Sequence, residues 1–262
     1  MLRMYLALMR RALGAMFEYR AGVFIWMLTN MMPLVMLAVW FSLSEGGPIA
    51  GYSQIDFVSY YLLLAFVRQM TTVWVIWEID NDIKHGDLSI KLLHPINPIH
   101  DYISSNVADK ILRLAVLIPL GFVAWLIFPT IHYDVTPLNL VLFLVTISFA
   151  WFMRFLSQYT FGVLAFWISE AATLHEIWYA TWLMLGGMLA PLDLFPANIA
   201  AVARFLPFRF MLSFPVEIMA GRLTPEDTLI GLAATVFWAM LMIVVYRWLW
   251  KRGVKQFSAF GA

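Results

Sequence analysis

Two arginines interrupt stretches that otherwise hold no charge. Arg68 has Gln69, Thr71 and Thr72 beside it, and Arg154 has Ser157 and Gln158 within about one helical turn. A guanidinium stays charged and offers a planar fork of N–H donors. Near the centre of a bilayer it costs about 2.5–3.5 kcal/mol on insertion scales, so such a group faces a bundle interior or a watery cavity. The chemistry open to Arg68, Gln69, Arg154 and Gln158 is recognition, lining a translocation path or a seam between subunits; the alternative is that the two arginines are a structural pair. For Arg154 the simpler expectation is structural, with the stem along apolar surface and the head snorkelling to an interface.

Catalytic chemistry has less to draw on. The chain has no Cys, which excludes disulfides, thiolate zinc sites and a cysteine nucleophile. No GxxxxGK[ST] occurs, and no Gly is followed by Lys, so that route to nucleotide hydrolysis is absent. His175 and Glu176 open like a zinc-binding HExxH, but position 179 is Tyr and the second ligand is missing. His85, His94 and His100 share one polar segment at spacings that fit no familiar metal site. A membrane enzyme acting on lipids would have Glu170, His175 and Glu176 as its compact acid and base group. The expectation is no catalytic residue, no metal and no cofactor held by this chain.

The elements that position these residues are membrane spans. The 262 residues are 63% hydrophobic and 13% charged, against about 45–50% and roughly 25% in soluble domains. A spanning helix takes roughly 20 largely apolar residues. Residues 21–44, 57–77, 112–131, 137–168, 173–192 and 228–249 qualify or nearly qualify. A net charge of +1 gives no reason to expect a nucleic-acid partner. The early charges and the long first apolar run do not read as a cleavable signal peptide.

Lys and Arg set the orientation. With the N-terminus inside, twelve fall in cytoplasmic segments, and only Arg204, Arg209 and Arg222 fall outside. The chain is expected to be a multi-pass protein of the cytoplasmic (inner) membrane with both termini in the cytoplasm. Residues 1–20 read as an interfacial helix, with Arg3, Arg10, Arg11, Gly14 and Glu18 in one polar stripe. Residues 193–226 are apolar yet broken by Pro207, Arg209, Pro215 and Glu217. They suit an outer re-entrant helical hairpin; two further spans are the competing reading.

Residues 78–110 are the exception to this apolar character, holding nine of the 33 charged residues. Gly86 should break the chain, Pro95 and Pro98 should stop and stiffen it, and 100–110 reads as a second short helix. A short amphipathic helix held rigidly below the membrane is a lever for a soluble partner. The fold class expected is all-α integral membrane: six transmembrane helices, an N-terminal interfacial amphipathic helix, a cytoplasmic coupling helix and an extracytoplasmic re-entrant helical hairpin, in one membrane domain over 1–262.

At these residues the sequence resembles a known family. GDLSIKLLHPINP at 86–98 is similar to the cytoplasmic loop signature of bacterial ABC permeases of the type-2 exporter class, in the subfamily of about 260 residues often encoded as paired permeases with one ATPase. GGMLAPLDLFP at 186–196, LPFRFMLSFPVEIMAGRL at 206–223 and the tail WKRGVKQFSAFGA at 250–262 resemble the same family. The resemblance implies a permease subunit of an ATP-driven exporter that moves a hydrophobic, amphiphilic or lipid-like substrate. It implies two ATPase subunits beneath a pair of permeases, identical or different, among membrane lipids. ATP and Mg would be bound by the ATPase partner. The coupling helix would fall around 80–93, with Asp80, Ile83, Lys84, Gly86, Asp87, Leu88, Ile90 and Lys91 as its residues. Ile83, Lys84, Leu88 and Ile90 would be the side chains entering the ATPase groove. A lipid-modifying enzyme and a non-transporting scaffold are the alternatives.

Overall fold

The structure is a computed structural model and describes residues 2–18, 22, 25, 27 and 31–257. Among these residues it is helical throughout, apart from turns and one isolated bridge between Ile49 and Tyr52. The helices are α1 (Leu2–Glu18), α2 (Met32–Leu43), α3 (Gln54–Met70), α4 (Val75–Lys84), α5 (Leu88–Leu92) and α6 (Ile99–Ile127). They continue as α7 (Pro137–Val163), α8 (Ala171–Leu185), α9 (Ala197–Phe205), α10 (Pro207–Phe210), α11 (Ser213–Met219) and α12 (Pro225–Gln256).

Three long helices start from side-chain caps. Ser53 and Asp56 form a reciprocal capping box at α3. Thr136 accepts from the Asn139 N–H at α7, and Thr224 from the Asp227 N–H at α12. Pro137 and Pro225 occupy the first turns of those two helices, where the lost N–H would have no helical partner. All three starts lie at the end of the bundle that carries α9; α1 and α5 lie at the other end.

Among the described residues four helical stretches are long and apolar enough to cross a membrane: Gln54–Lys84, Ile99–Ile127, Pro137–Phe166 and Pro225–Gln256. Of the expected first span, most of 21–30 lies outside the described residues, and Met32–Leu43 is helical. The expected fifth span is represented by α8, which is 15 residues long. At about 1.5 Å per residue it falls short of the ~30 Å hydrocarbon layer. The chain then turns at Gly187 with a φ of 86°. A Cβ there would stand 2.7 Å from both Ser213 Cβ and Tyr60 Oη, so only glycine allows this crossing.

Two expectations need correction. The span over 57–77 is not one helix: α3 ends at Met70, Thr71–Trp74 is non-helical, and α4 begins at Val75. The reason is local. Thr72 and Thr71 turn their hydroxyls back onto the Arg68 carbonyl, at 2.8 and 3.4 Å. With Val73 they form a β-branched run that loses side-chain freedom in a helix. Residues 100–110, in turn, are not a separate helix. They are the first turns of α6, because no Gly or Pro lies between Ile99 and Pro119 to stop it.

The packing explains how the ends are held. Tyr5 of α1 hydrogen-bonds His100, and Arg11 pairs with Asp101, so α1 lies against the start of α6. A Cβ on Gly162 would meet Ile79 Cγ2 at 2.0 Å, which shows how closely α4 seats on α7. Around that crossing Ile79, Ile83, Leu88, Tyr102, Phe155 and Tyr159 form one core. At the α9 end Phe208, Phe210, Leu212 and Phe214 bury against Tyr60, Tyr61 and Phe57. The short helices over 193–226 are thus partly inside the bundle rather than a loop over it.

Candidate functional site

The break after α3 exposes backbone groups that a helix would pair. Thr71, Thr72 and Val73 are all buried, where an orphan carbonyl costs about 1–3 kcal/mol. Two side chains collect them: Lys110 Nζ of α6 donates to the Thr72 carbonyl, and Gln158 Nε2 of α7 donates to the Val73 carbonyl at 2.8 Å. Non-helical backbone at membrane depth is tolerated only when protein covers it in this way.

Two groups of buried cations flank the break. The first is paired. Arg113, fully buried, donates through Nε to Asp109 Oδ2 at 2.7 Å and through Nη1 to Gln69 Oε1. Lys110 reaches the same Asp109 oxygen at 3.0 Å. Gln69 also donates to the Met27 carbonyl at 2.9 Å. Gln69, expected to line a path or subunit seam, joins three helical segments through these bonds. The sequence reading missed Asp109 and Arg113, although their i, i+4 spacing is a readable pairing signal.

The second group centres on Trp182 of α8. Arg154 lies with its guanidinium carbon 3.9 Å from the Trp182 ring centroid, and Arg68 with its own at 4.7 Å. Arg68 Nη2 donates to Tyr179 Oη at 2.7 Å. Arg154 therefore does not snorkel: only 5% of it is exposed. It points sideways into α8, because the α7 face that bears it also carries the buried Ser157 and Gln158. Among the described residues no carboxylate pairs with Arg154, and its Nη1 has no acceptor. Gln158 Oε1 and His175 Nδ1, both buried, also lack partners. Arg154, Ser157, Gln158, His175, Tyr179 and Trp182 line a cavity of about 10 Å³ for the centre of a water-sized sphere, room for about one water.

The acid and base group of the alternative enzyme reading does not converge. His175 is buried beside this cavity, whereas Glu170 and Glu176 are exposed. No cluster of His, Asp and Glu fit to hold a metal occurs among the described residues.

The polar segment places its residues on two different faces. Ile83 and Leu88, expected to enter a partner groove, are buried, at 6% and 0% exposure. Asp80 is buried and pairs with Lys84 at 2.7 Å. Lys91 pairs with Asp82 and lies 4.4 Å from the Tyr102 ring centroid. Gly86 makes the turn with a φ of 82°, Asp87 is exposed, and the Ser89 hydroxyl donates to the Gly86 carbonyl at 2.6 Å. The exposed apolar side chains are Ile90, at 61%, and Leu93, at 85%. Composition cannot reveal which side of a five-residue helix looks inward; the tertiary core decides.

At the other end Arg209 donates to Glu217 through Nη2 at 2.6 Å and through Nε at 3.1 Å, tying α10 to α11. Pro215 falls in the first turn of α11, where its missing N–H leaves nothing unpaired. Close by, Arg222 pairs with Asp56 at 2.8 Å and stacks 3.8 Å from the Tyr52 ring centroid. Tyr52 donates to Asp193 at 3.0 Å; burial and that carboxylate hold its phenol above the usual range.

The chain matches the family described as ABC-2 family transporter protein over residues 24–261, and it belongs to that family. No curated protein matches it. It is thus an ABC-2 permease of about 260 residues, a multi-pass membrane protein and a transmembrane component of an ABC transporter, and its family implies an ABC ATPase as partner.

Proposed function

We propose that the chain is the permease of an ATP-driven exporter and that α5 is where the ATPase pushes. The observation that carries this is the build of the α4–α5 corner. Ile90 and Leu93 stand exposed on a short helix and its end. Beneath them Ile83 and Leu88 are locked into the core, and Lys91 is tied to Asp82. Such a corner is rigid on one side and adhesive on the other, as a lever must be. Gly162 lets α4 press directly on α7, and α4 begins at the break over 71–74. Movement of α5 would therefore reach Gln158, and through it the cavity at Arg154, by a chain of direct contacts.

In this reading six spans cross the cytoplasmic membrane, the first over 21–44 and the fifth over 173–192 among them. The α5 end faces the cytoplasm, by the twelve-to-three division of Lys and Arg, and 193–226 re-enters from outside. Two such permeases, alike or different, pair over two ATPase subunits, which bind ATP and Mg. The cargo is hydrophobic or amphiphilic and travels outward.

Reconstitution with the ATPase tests this. Ile90→Asp combined with Leu93→Asp should leave melting of the purified permease unchanged within about 0.5 kcal/mol, as for surface changes. The same variant should abolish ATP hydrolysis stimulated by the permease. Undiminished stimulation would remove α5 from the coupling role.

A further inference from the structure

We infer that the Arg154–Trp182 cavity is a binding site for an oxyanion, the phosphate or carboxylate of an anionic head group. This rests on the permease reading only for its purpose, since it makes the site part of the cargo's path; the chemistry stands on the residues. A guanidinium only 5% exposed, with no carboxylate paired to it among the described residues and no acceptor for Nη1, is costly to keep. Taking a charge out of water is costly, and stacking on one indole offsets only part of that cost. A second guanidinium, that of Arg68, lies against the same ring, so two positive charges meet at one indole. Asp109, by contrast, is engaged by Arg113 and Lys110. A water in the cavity could accept hydrogen bonds, but it brings no negative charge.

The other groups around the cavity fit the same ligand. Tyr179 Oη, which accepts from Arg68, and the unpartnered His175 Nδ1 can donate, whereas the Ser157 hydroxyl is spent on the Arg154 carbonyl at 2.9 Å; an oxyanion with several lone pairs accepts from more than one donor. Trp182 and Trp178 give apolar walls suited to the carbon adjoining a head group. The small volume in this state means that an occupant enters as a single oxygen or after the helices part. The break beside α4, which Gln158 contacts, supplies a joint for that parting.

The purified permease in a neutral maltoside detergent is the material for the test, with dodecyl phosphate, dodecyl trimethylammonium and inorganic phosphate as probes. Dodecyl phosphate should raise the melting temperature and quench tryptophan fluorescence, and dodecyl trimethylammonium should do neither. Arg154→Gln should weaken the dodecyl phosphate response about ten-fold or more, as loss of a charged hydrogen bond does, and Arg154→Lys should keep part of it. Without probe, Arg154→Leu should melt at or above the temperature of the unaltered chain, because it removes an unbalanced charge. That readout separates a ligand site from a structural arginine. A response to inorganic phosphate as strong as that to dodecyl phosphate identifies a free anion as occupant; one confined to dodecyl phosphate identifies a head group. The inference is overturned if neither phosphate probe acts, if Arg154→Gln responds undiminished, or if Arg154→Leu melts lower. Because no ATPase is present, these results are independent of the coupling experiment: binding without coupling would count against the exporter reading alone.

Discussion

Arg113 and Arg154 are both buried in the same bundle, yet their surroundings differ. Around Arg113 the protein has supplied Asp109, the Gln69 carbonyl oxygen and the Trp74 ring, 5.5 Å from the guanidinium carbon to its centroid. Around Arg154 it has supplied Trp182 and a small cavity. A charge that serves the fold is met by partners within the chain. A charge left with an open donor, as Arg154 is at Nη1, has room for a partner from outside the chain. Burial alone does not distinguish the two; the company each guanidinium keeps does.

The sharpest way to break this contrast is to strip the paired side. Asp109→Leu would leave Arg113 and Lys110 facing each other without a carboxylate, and the expected loss is about 3–5 kcal/mol of stability. Denaturant or thermal melting of the purified permease reads it, and an unchanged midpoint would dissolve the distinction between the clusters. Arg154→Leu is the opposite case, with no loss or a gain.

Gln158→Leu is intermediate, because that amide lies between the two regions. It frees the buried Val73 carbonyl, for which about 1–3 kcal/mol is expected. If the break is a working joint, the same variant should slow transport more than its stability change explains. The smallest effect calibrates the scale. Arg204 and Asp193 pair at 3.0 Å with about half of each side chain exposed. Arg204→Ala should therefore cost about 0–1 kcal/mol and less at high salt. A larger loss there would mean that pairing at the α9 end carries more of the fold than exposure suggests.

Much of this was legible in the residues. Arg68 and Arg154 stood out because charge inside an apolar run is expensive; Arg68 proved buried as expected, whereas Arg154, expected to snorkel, proved buried too. Gly86 and the prolines at 95 and 98 marked their turns correctly. What stayed hidden depends on neighbours distant in sequence. Hydropathy rates Thr71–Val73 as good membrane residues, since it does not register hydroxyls bonding back to the Arg68 carbonyl. The inward direction of Leu88 and the outward direction of Ile90 follow from the core beneath them. Trp182 looked like any apolar residue of a span until Arg154 was found stacked on it. The fifth stretch read as short in the residues; that its helix ends at Leu185, just before the turn at Gly187, was not readable there.

The break between α3 and α4 has an electrical side. An unbroken helix carries its partial charges at the membrane surfaces; a helix cut midway carries a second pair inside. Here α3 ends with its negative pole beside Arg68, which falls in its last turn, and α4 starts with a positive pole of about half an elementary charge, with Glu78 in its first turn. Any tilt of α4 therefore shifts partial charge through the interior. At about 2.3 kcal/mol per elementary charge per 100 mV, even a fraction of that displacement would make the rate of the working cycle respond to membrane voltage.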